Sequence, residues 1–302
     1  MPRTDDDTWD LTEGVGTTAT AVAAARALAS CRPHPLIDDP FARPLVAALG
    51  IEHYVRVADG DTGDDAAGID WDAVADGMAV RTQFFDEFLT DAMTAGVRQA
   101  VILACGLDTR AYRLAWPPGT TIYELDQPGV VEFKARTMSD LGAAPAADVR
   151  CIGIDLRDDW PNALRVNGFD AAQPTAWIAE GLLGYLPPEA QDLLFDNVTE
   201  LSATGSRLAT EWHPDLSVTA TPSSTEVTRA ERDRSNGSDI QDPADMIYFG
   251  ERSDVEEYLT AAGWNVATHT FAARAEANGI AYSTDESVAG LFRAHLTAAI
   301  LG

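Results

Sequence analysis

Lysine is almost missing from this chain: Lys134 is the only one in 302 residues. Arginine supplies the rest of the positive charge, and 21 basic residues face 48 acidic ones, a formal net charge of −27. A chain this acidic lacks the basic footprint that nucleic acid requires. An anionic membrane surface is excluded as a partner for the same reason. Taken by itself, acidity means good solvation and says nothing about fold. Cysteine is also scarce. Cys31, Cys105 and Cys151 are widely spaced and form no CxxC pair. That argues against a disulfide framework, a zinc site or any other metal centre. Cys105 and Cys151 fall in predicted buried strands, which makes them inert core thiols. Long apolar runs are missing too. No window approaches the roughly 18–20 unbroken apolar residues of a membrane span. The start, MPRTDDDTWD, has no basic or apolar leader region. The expectation is a cytoplasmic protein with no membrane partner.

What is present is ordered along the chain. Residues 5–16 are acidic and read as loose. TATAVAAARALAS (18–30) is an alanine-rich helix. RPHPLIDDPFARP (32–44) cannot be one continuous helix. ADGDTGDDAAGID (58–70) is an acidic loop. From Trp71 to Ala95, Val80, Phe84, Phe88 and Met93 recur at helical spacing. A helical N-terminal cap is therefore expected over residues 1–95. Over 96–302 strands and helices alternate. VILAC (101–105) is a short apolar run of the kind found in buried parallel strands. Further strands are expected at TTIYELD (120–126), VRCIGIDL (149–156), PTAWIAEGLL (174–183) and SRLATEWH (206–213). Ser253 is the candidate cap, and Gly263 the end, of a helix over 253–264. WNVATHTF and FRAHLTAAIL supply two last strands. This alternation predicts an α/β fold: a doubly wound, mostly parallel, Rossmann-like sheet. Residues 214–250 read as a lid-like insertion, or as a plain surface loop.

Ligands of such sheets sit beyond the carboxyl ends of the strands. In VILACGLDTRAYRL (101–114), Gly106 is the only glycine; a dinucleotide turn needs three so that backbone can approach a pyrophosphate. No GxxxxGK[ST] loop exists either. The four predicted strand ends carry Asp108, Asp126, Asp155 and Glu180. Asp126 stands 20 residues after Gly106, where an acid reaches ribose hydroxyls; alone it would be a turn-forming Asp before Gln-Pro. Asp155 would lie near an adenine amino group; alone it would be a cap or an Asx-turn. Glu124, on the same face but deeper, is structural. A ring of acids with no phosphate cradle suits an adenosine ligand that carries positive charge and no phosphate. S-adenosyl-L-methionine is such a ligand.

GLDTRAYRL, YELDQPGVVEFK, GIDL and AEGLLGYLP together resemble the actinobacterial S-adenosyl-L-methionine-dependent methyltransferases of the leucine carboxyl methyltransferase-like group. GLDTRAYRL is the specific element; GIDL alone is weak. The resemblance runs from GVGTTATAVAAARA to the last strand. It implies a class I methyltransferase sheet beneath the helical cap, with S-adenosyl-L-methionine as cofactor. It carries cofactor contacts to Asp126, Asp155, Leu156, Gly106, Glu180 and Arg81. Arg81 could clamp the cofactor carboxylate bidentately, or be a surface arginine of an acidic protein. The group's turn usually reads Gly-x-Gly, whereas this chain has Ala104-Cys105-Gly106. Alanine is expected to keep a buried β conformation there.

The resemblance implies O-methylation of a small-molecule carboxyl or hydroxyl. A carboxylate acceptor needs no general base, and a phenol or alcohol usually does. The sequence names no base. His213 and Tyr185 are the available candidates, though each reads equally as a packing residue. Two alternatives remain open at this stage: a non-catalytic S-adenosylmethionine-binding protein and an NAD(P)-dependent oxidoreductase. Asp108 and Arg110 either frame the methionine end of the cofactor or pair with each other. Pairing is preferred for Arg110. Oligomeric state leaves no signature.

Overall fold

The computed structural model describes residues 15–63, 69–214, 247–280 and 293–302. The expected lid at 214–250 and the loose N-terminal stretch lie mostly outside these residues. The chain divides into two compact units. The first holds residues 1–83, 215–247 and 270–294; the second holds 84–214, 248–269 and 295–302. No described helix is long and apolar enough to cross a membrane.

The first unit is helical among its described residues. α1 (Val15–Ser30) packs on α2 (Ala42–Leu49) and α3 (Glu52–Ala58). Ala23, Ala24, Ala25, Ala27 and Ala29 are all buried, so small side chains set a close helix approach. The Pro-rich link between α1 and α2 is held by a buried ion pair, Arg26 Nε to Asp39 Oδ2 at 3.0 Å. Asp39 Oδ1 also accepts from the backbone N–H groups of Phe41 and Ala42 as α2 begins. α4 (Trp71–Thr94) starts where Asp70 Oδ1 accepts from the Ala73 N–H. Its predicted apolar stripe, Val80, Phe84, Phe88 and Met93, is buried. The boundary between the units falls within α4, after Gln83. α10 (Phe271–Ala277) is capped by the Thr270 hydroxyl.

The second unit is built on a seven-stranded sheet. In chain order its strands are β1 (Gln99–Leu103), β2 (Thr121–Asp126), β3 (Asp148–Gly153), β4 (Thr175–Ala179), β5 (Arg207–Trp212), β6 (Trp264–Thr270) and β7 (His295–Leu301). Their spatial order is β3-β2-β1-β4-β5-β7-β6. β1 to β5 pair in parallel, and β7 joins β5 antiparallel. β1 and β4 are buried along their whole length, as their apolar sequences require. Helices α5 (Arg110–Arg113), α6 (Pro128–Asp140), α7 (Trp160–Val166), α8 (Pro188–Glu200) and α9 (Val255–Ala261) connect the strands. Trp177 of β4 lies in the core between Trp160 and Phe169, with ring centroids 6.3 and 5.4 Å away.

Several boundaries differ from expectation. β1 ends at Leu103, because Ala104 turns out of the strand. β3 ends at Gly153, so Asp155 and Leu156 lie just beyond the strand. Gly153 is required where it stands: a Cβ there would sit 2.9 Å from the Pro128 Cα. β3 is an edge strand with a largely exposed pattern, and Cys151 on it is exposed rather than a core thiol. Cys105 is buried, as expected, and burial pushes its thiol well above the ordinary range. The cap of α9 is Asp254, which accepts from the Glu257 N–H at 3.0 Å. Ser253 is not available for that role, since its hydroxyl donates to Asp192 at 2.8 Å.

Candidate cofactor site

Strand register brings the sequence-predicted acids level. Leu103 pairs with Leu125, and Ile102 with Ile178. Asp126, one step beyond Leu125, and Glu180, two steps beyond Ile178, therefore stand on either side of Ala104. Asp126 pairs in turn with Gly153, two residues before Asp155.

The turn after β1 is tight. Ala104 has φ +52° and Gly106 has φ +46°, both left-handed. Alanine therefore does not keep the expected β conformation. The Cys105 N–H still donates to the Leu125 carbonyl at 2.9 Å, which holds the bend against β2. A left-handed non-glycine residue costs on the order of 1–2 kcal/mol. Ala104→Gly should relieve that strain and regain about 0.5–1 kcal/mol net of glycine's greater unfolded freedom. A thermal denaturation midpoint no higher than wild type would contradict this.

Asp126 is the pivot of the turn. Its Oδ2 accepts from the Gly106 N–H at 2.7 Å and its Oδ1 from the Gln127 N–H at 2.7 Å. Each oxygen keeps a further lone pair for a ligand hydroxyl. Burial raises the Asp126 pKa against the pull of those two N–H bonds. Gln127 carries the connection outward: its Nε2 donates to Asp155 Oδ2 at 2.5 Å. Asp155 also holds Arg157, with Nη2 at 2.6 Å and Nε at 2.9 Å. Partial burial pushes Asp155 up, but the Arg157 and Gln127 hydrogen bonds outweigh it and hold its pKa below the usual range. Leu156 follows, half-buried and packed against the core.

Glu180 leaves the end of β4 and meets Arg110. The Arg110 guanidinium is 3% exposed and is shared among three carboxylates. Its Nη1 bonds Glu180 Oε2 at 2.6 Å and also Asp108 Oδ2, and its Nε bonds Asp86 Oδ1 at 2.7 Å. Arg113 adds two bonds to Asp86, at 2.6 and 2.7 Å. This confirms the preferred pairing of Arg110 with Asp108. It also gives Glu180 a partner that the sequence did not suggest. Among the described residues, three carboxylates against two guanidiniums give this cluster a formal charge of −1.

The structure thus links Gly106, Asp126 and Asp155 through hydrogen bonds, with Leu156 beside them, and places Glu180 level with Asp126. Arg81 belongs to the first unit, where its Nη1 lies 3.8 Å from the Met78 sulfur. His213 follows β5, and Tyr185 ends a 3-10 turn at Leu183–Tyr185. Sequence reading missed Asp86, Arg113 and Gln127. The available signal for Asp86 was an acid set among Phe84, Phe85 and Phe88.

Parallel strands ending in a one-glycine turn, with Asp126 closing β2 and acids after β3 and β4, are the strand-end arrangement expected of a class I S-adenosyl-L-methionine-dependent methyltransferase. The donor set fits that cofactor: free acceptor capacity on Asp126 suits a ribose, and the net negative cluster suits a cationic tail. The chain belongs to the leucine carboxyl methyltransferase family, whose model matches residues 19–199. A protein of Mycolicibacterium smegmatis, provisionally named an S-adenosyl-L-methionine-dependent methyltransferase, is 57% identical over 271 residues, 89% of this chain and 88% of that one. A Mycobacterium avium protein with the same provisional name is 52% identical over 303 residues and spans all of both chains. Among solved structures, a provisionally named methyltransferase from Thermobifida fusca YX shares the fold, with a TM-score of 0.52 at 16% identity over 93% of this chain and 94% of that one. The oxidoreductase alternative is thereby set aside.

Proposed function

We propose that the protein transfers a methyl group to a carboxyl or hydroxyl oxygen of a small molecule, in the cytoplasm. The observation that carries the cofactor end of this reading is Asp126. It is anchored through both oxygens to backbone N–H groups, yet keeps lone pairs directed away from them. In this reading Asp126 holds the ribose hydroxyls and Asp155 accepts from the adenine amino group. Leu156 lies against the adenine, and Gly106 lets the chain pass close to the cofactor. Glu180 offers negative charge to its cationic end. S-adenosyl-L-methionine, when bound, supplies a methyl group already activated on sulfur. The residues around it have then to align the acceptor oxygen and keep water out. A carboxylate acceptor arrives ionised and needs no proton removed. The family's name, which specifies a carboxyl acceptor, supports oxygen over nitrogen or carbon.

The test is a panel of small carboxylic acids, phenols and alcohols incubated with the protein and S-adenosyl-L-methionine. S-adenosylhomocysteine release and the acceptor's mass are both followed. The expected result is one added methyl group on at least one acceptor. An ester is cleaved by mild base and an ether is not. Methylation found only on nitrogen or carbon would overturn the proposal. Cofactor binding without transfer to any acceptor would favour a non-catalytic binding protein.

A further inference from the structure

The chain's only lysine is buried beneath the cofactor turn. Lys134 lies on α6 with its side chain 1% exposed, facing Glu124 of β2, which is 0% exposed. Nζ stands 2.9 Å from Glu124 Oε2. It also donates to the backbone carbonyl of Asp108 at 3.1 Å. Its charge also pulls the pKa of the buried Cys105 thiol down against the effect of burial. One ammonium group thus ties the interior of the sheet to both sides of Gly106.

The pair is poorly built if stability is its purpose. Glu124 Oε1 is buried and has no hydrogen-bond partner among the described residues. Such an oxygen carries its full desolvation cost. Buried ion pairs often stabilise no better than apolar side chains of the same volume. What an apolar pair could not do is hold the Asp108 carbonyl. That carbonyl belongs to a residue whose own N–H closes the turn on Cys105, at 2.8 Å. The turn is also fastened by the Gly106 N–H on Asp126 and the Cys105 N–H on the Leu125 carbonyl. Lys134 also favours the ionised form of Asp126 through its charge.

We propose that Lys134 is a positioning residue for the cofactor: by holding the Asp108 carbonyl it fixes the backbone of residues 104–108 and thereby sets cofactor affinity. The proposal rests on the reading of Gly106 and Asp126 as cofactor contacts. Lys134→Met alone strands Glu124 and is expected to lower the denaturation midpoint. The Glu124→Leu, Lys134→Met double variant removes both charges and should recover that midpoint. It should not recover affinity. Calorimetric titration with S-adenosylhomocysteine is expected to show binding about tenfold weaker, the equivalent of one charge-assisted hydrogen bond. Hydrogen exchange at the Cys105, Gly106 and Asp108 amides should quicken in the double variant while exchange in β4 and β5 stays as in wild type. A double variant that melts and binds like wild type would reduce Lys134 to a counter-ion and overturn the proposal. Asp126→Ala is measured alongside. If that variant binds normally, the cofactor reading itself fails. If it loses binding while the double variant keeps it, the role given to Lys134 alone fails.

Discussion

Replacing Asp126 with alanine is expected to weaken S-adenosylhomocysteine binding by about a hundredfold to a thousandfold while the protein stays folded. The carboxylate would lose two hydrogen bonds to ribose hydroxyls, each about 1.5–3 kcal/mol for a charged acceptor. At about 1.4 kcal/mol per factor of ten, the combined loss reaches that range. The turn would also lose the anchor of the Gly106 N–H. Asp126→Asn keeps one acceptor oxygen and should fall between the two. Stability should suffer far less than binding, because burial already disfavours the charged form of Asp126. A group whose pKa is raised on folding stabilises the folded state below its unfolded pKa, and that contribution is lost as pH rises through the folded value. At neutral pH the ionised Asp126 is thus held against its burial, which offsets part of what the fold loses with the Gly106 and Gln127 N–H bonds. Affinity runs the other way. Ribose recognition needs the ionised carboxylate, so binding should fail on acidification at a pH above that of an ordinary aspartate. Calorimetry across a pH series checks the midpoint, and unchanged far-UV dichroism checks the fold. Wild-type affinity in Asp126→Ala would remove Asp126 from the site.

Local chemistry made much of this site legible in the sequence. The short apolar run before Gly106 and the acid 20 residues later both act through nearest neighbours along one strand-turn-helix unit. Their positions could be read before their contacts were known. Asp155 and Leu156 were read as the end of a strand and lie just past it; the strand stops at Gly153, where Pro128 leaves no room for a Cβ. That crowding is a tertiary fact with no local trace. The same holds for Cys151, whose exposure follows from β3 lying at the sheet edge. Ala104 failed differently. Its place in the apolar run 101–105 suggested the β region, and the bend held by Cys105 and Leu125 overrides it. Arg110 was read correctly as a partner of Asp108, two residues away. Its partners on α4 and just beyond β4 lie 24 and 70 residues distant in sequence, beyond the reach of any local pattern.

Arg110→Met is expected to destabilise the protein by about 3–5 kcal/mol, the usual consequence of removing one member of a buried charge network. Methionine fills much of the volume and keeps the apolar contact with Phe85, whose ring lies 5.5 Å from the guanidinium carbon. The loss is therefore electrostatic. Burial alone would make Arg110 easier to deprotonate, yet Asp108, Glu180 and Asp86 together push its pKa well above the ordinary value. Without it, Asp108 and Glu180 lose their bonds to the guanidinium, while Asp86 keeps its bonds to Arg113. Arg110→Lys should recover only part of the loss, because a point charge cannot span three carboxylates that a planar fork reaches at once. Arg113→Met removes bonds to a single carboxylate, Asp86, and to the Thr109 hydroxyl, and should cost less than half as much. Combining Asp86→Asn with Arg110→Met should cost less than the sum of the two single changes, since each removes the other's partner. Equilibrium denaturation of the five variants, Asp86→Asn alone included, supplies the comparison. Strict additivity, or an Arg110→Met midpoint equal to wild type, would show that these contacts carry no stability. The network also explains why the turn has no second and third glycine. Asp108, Thr109 and Arg110 occupy the start of the helix where a pyrophosphate would otherwise bind, and the space behind the turn is filled by the paired charges of Arg110 and its carboxylates.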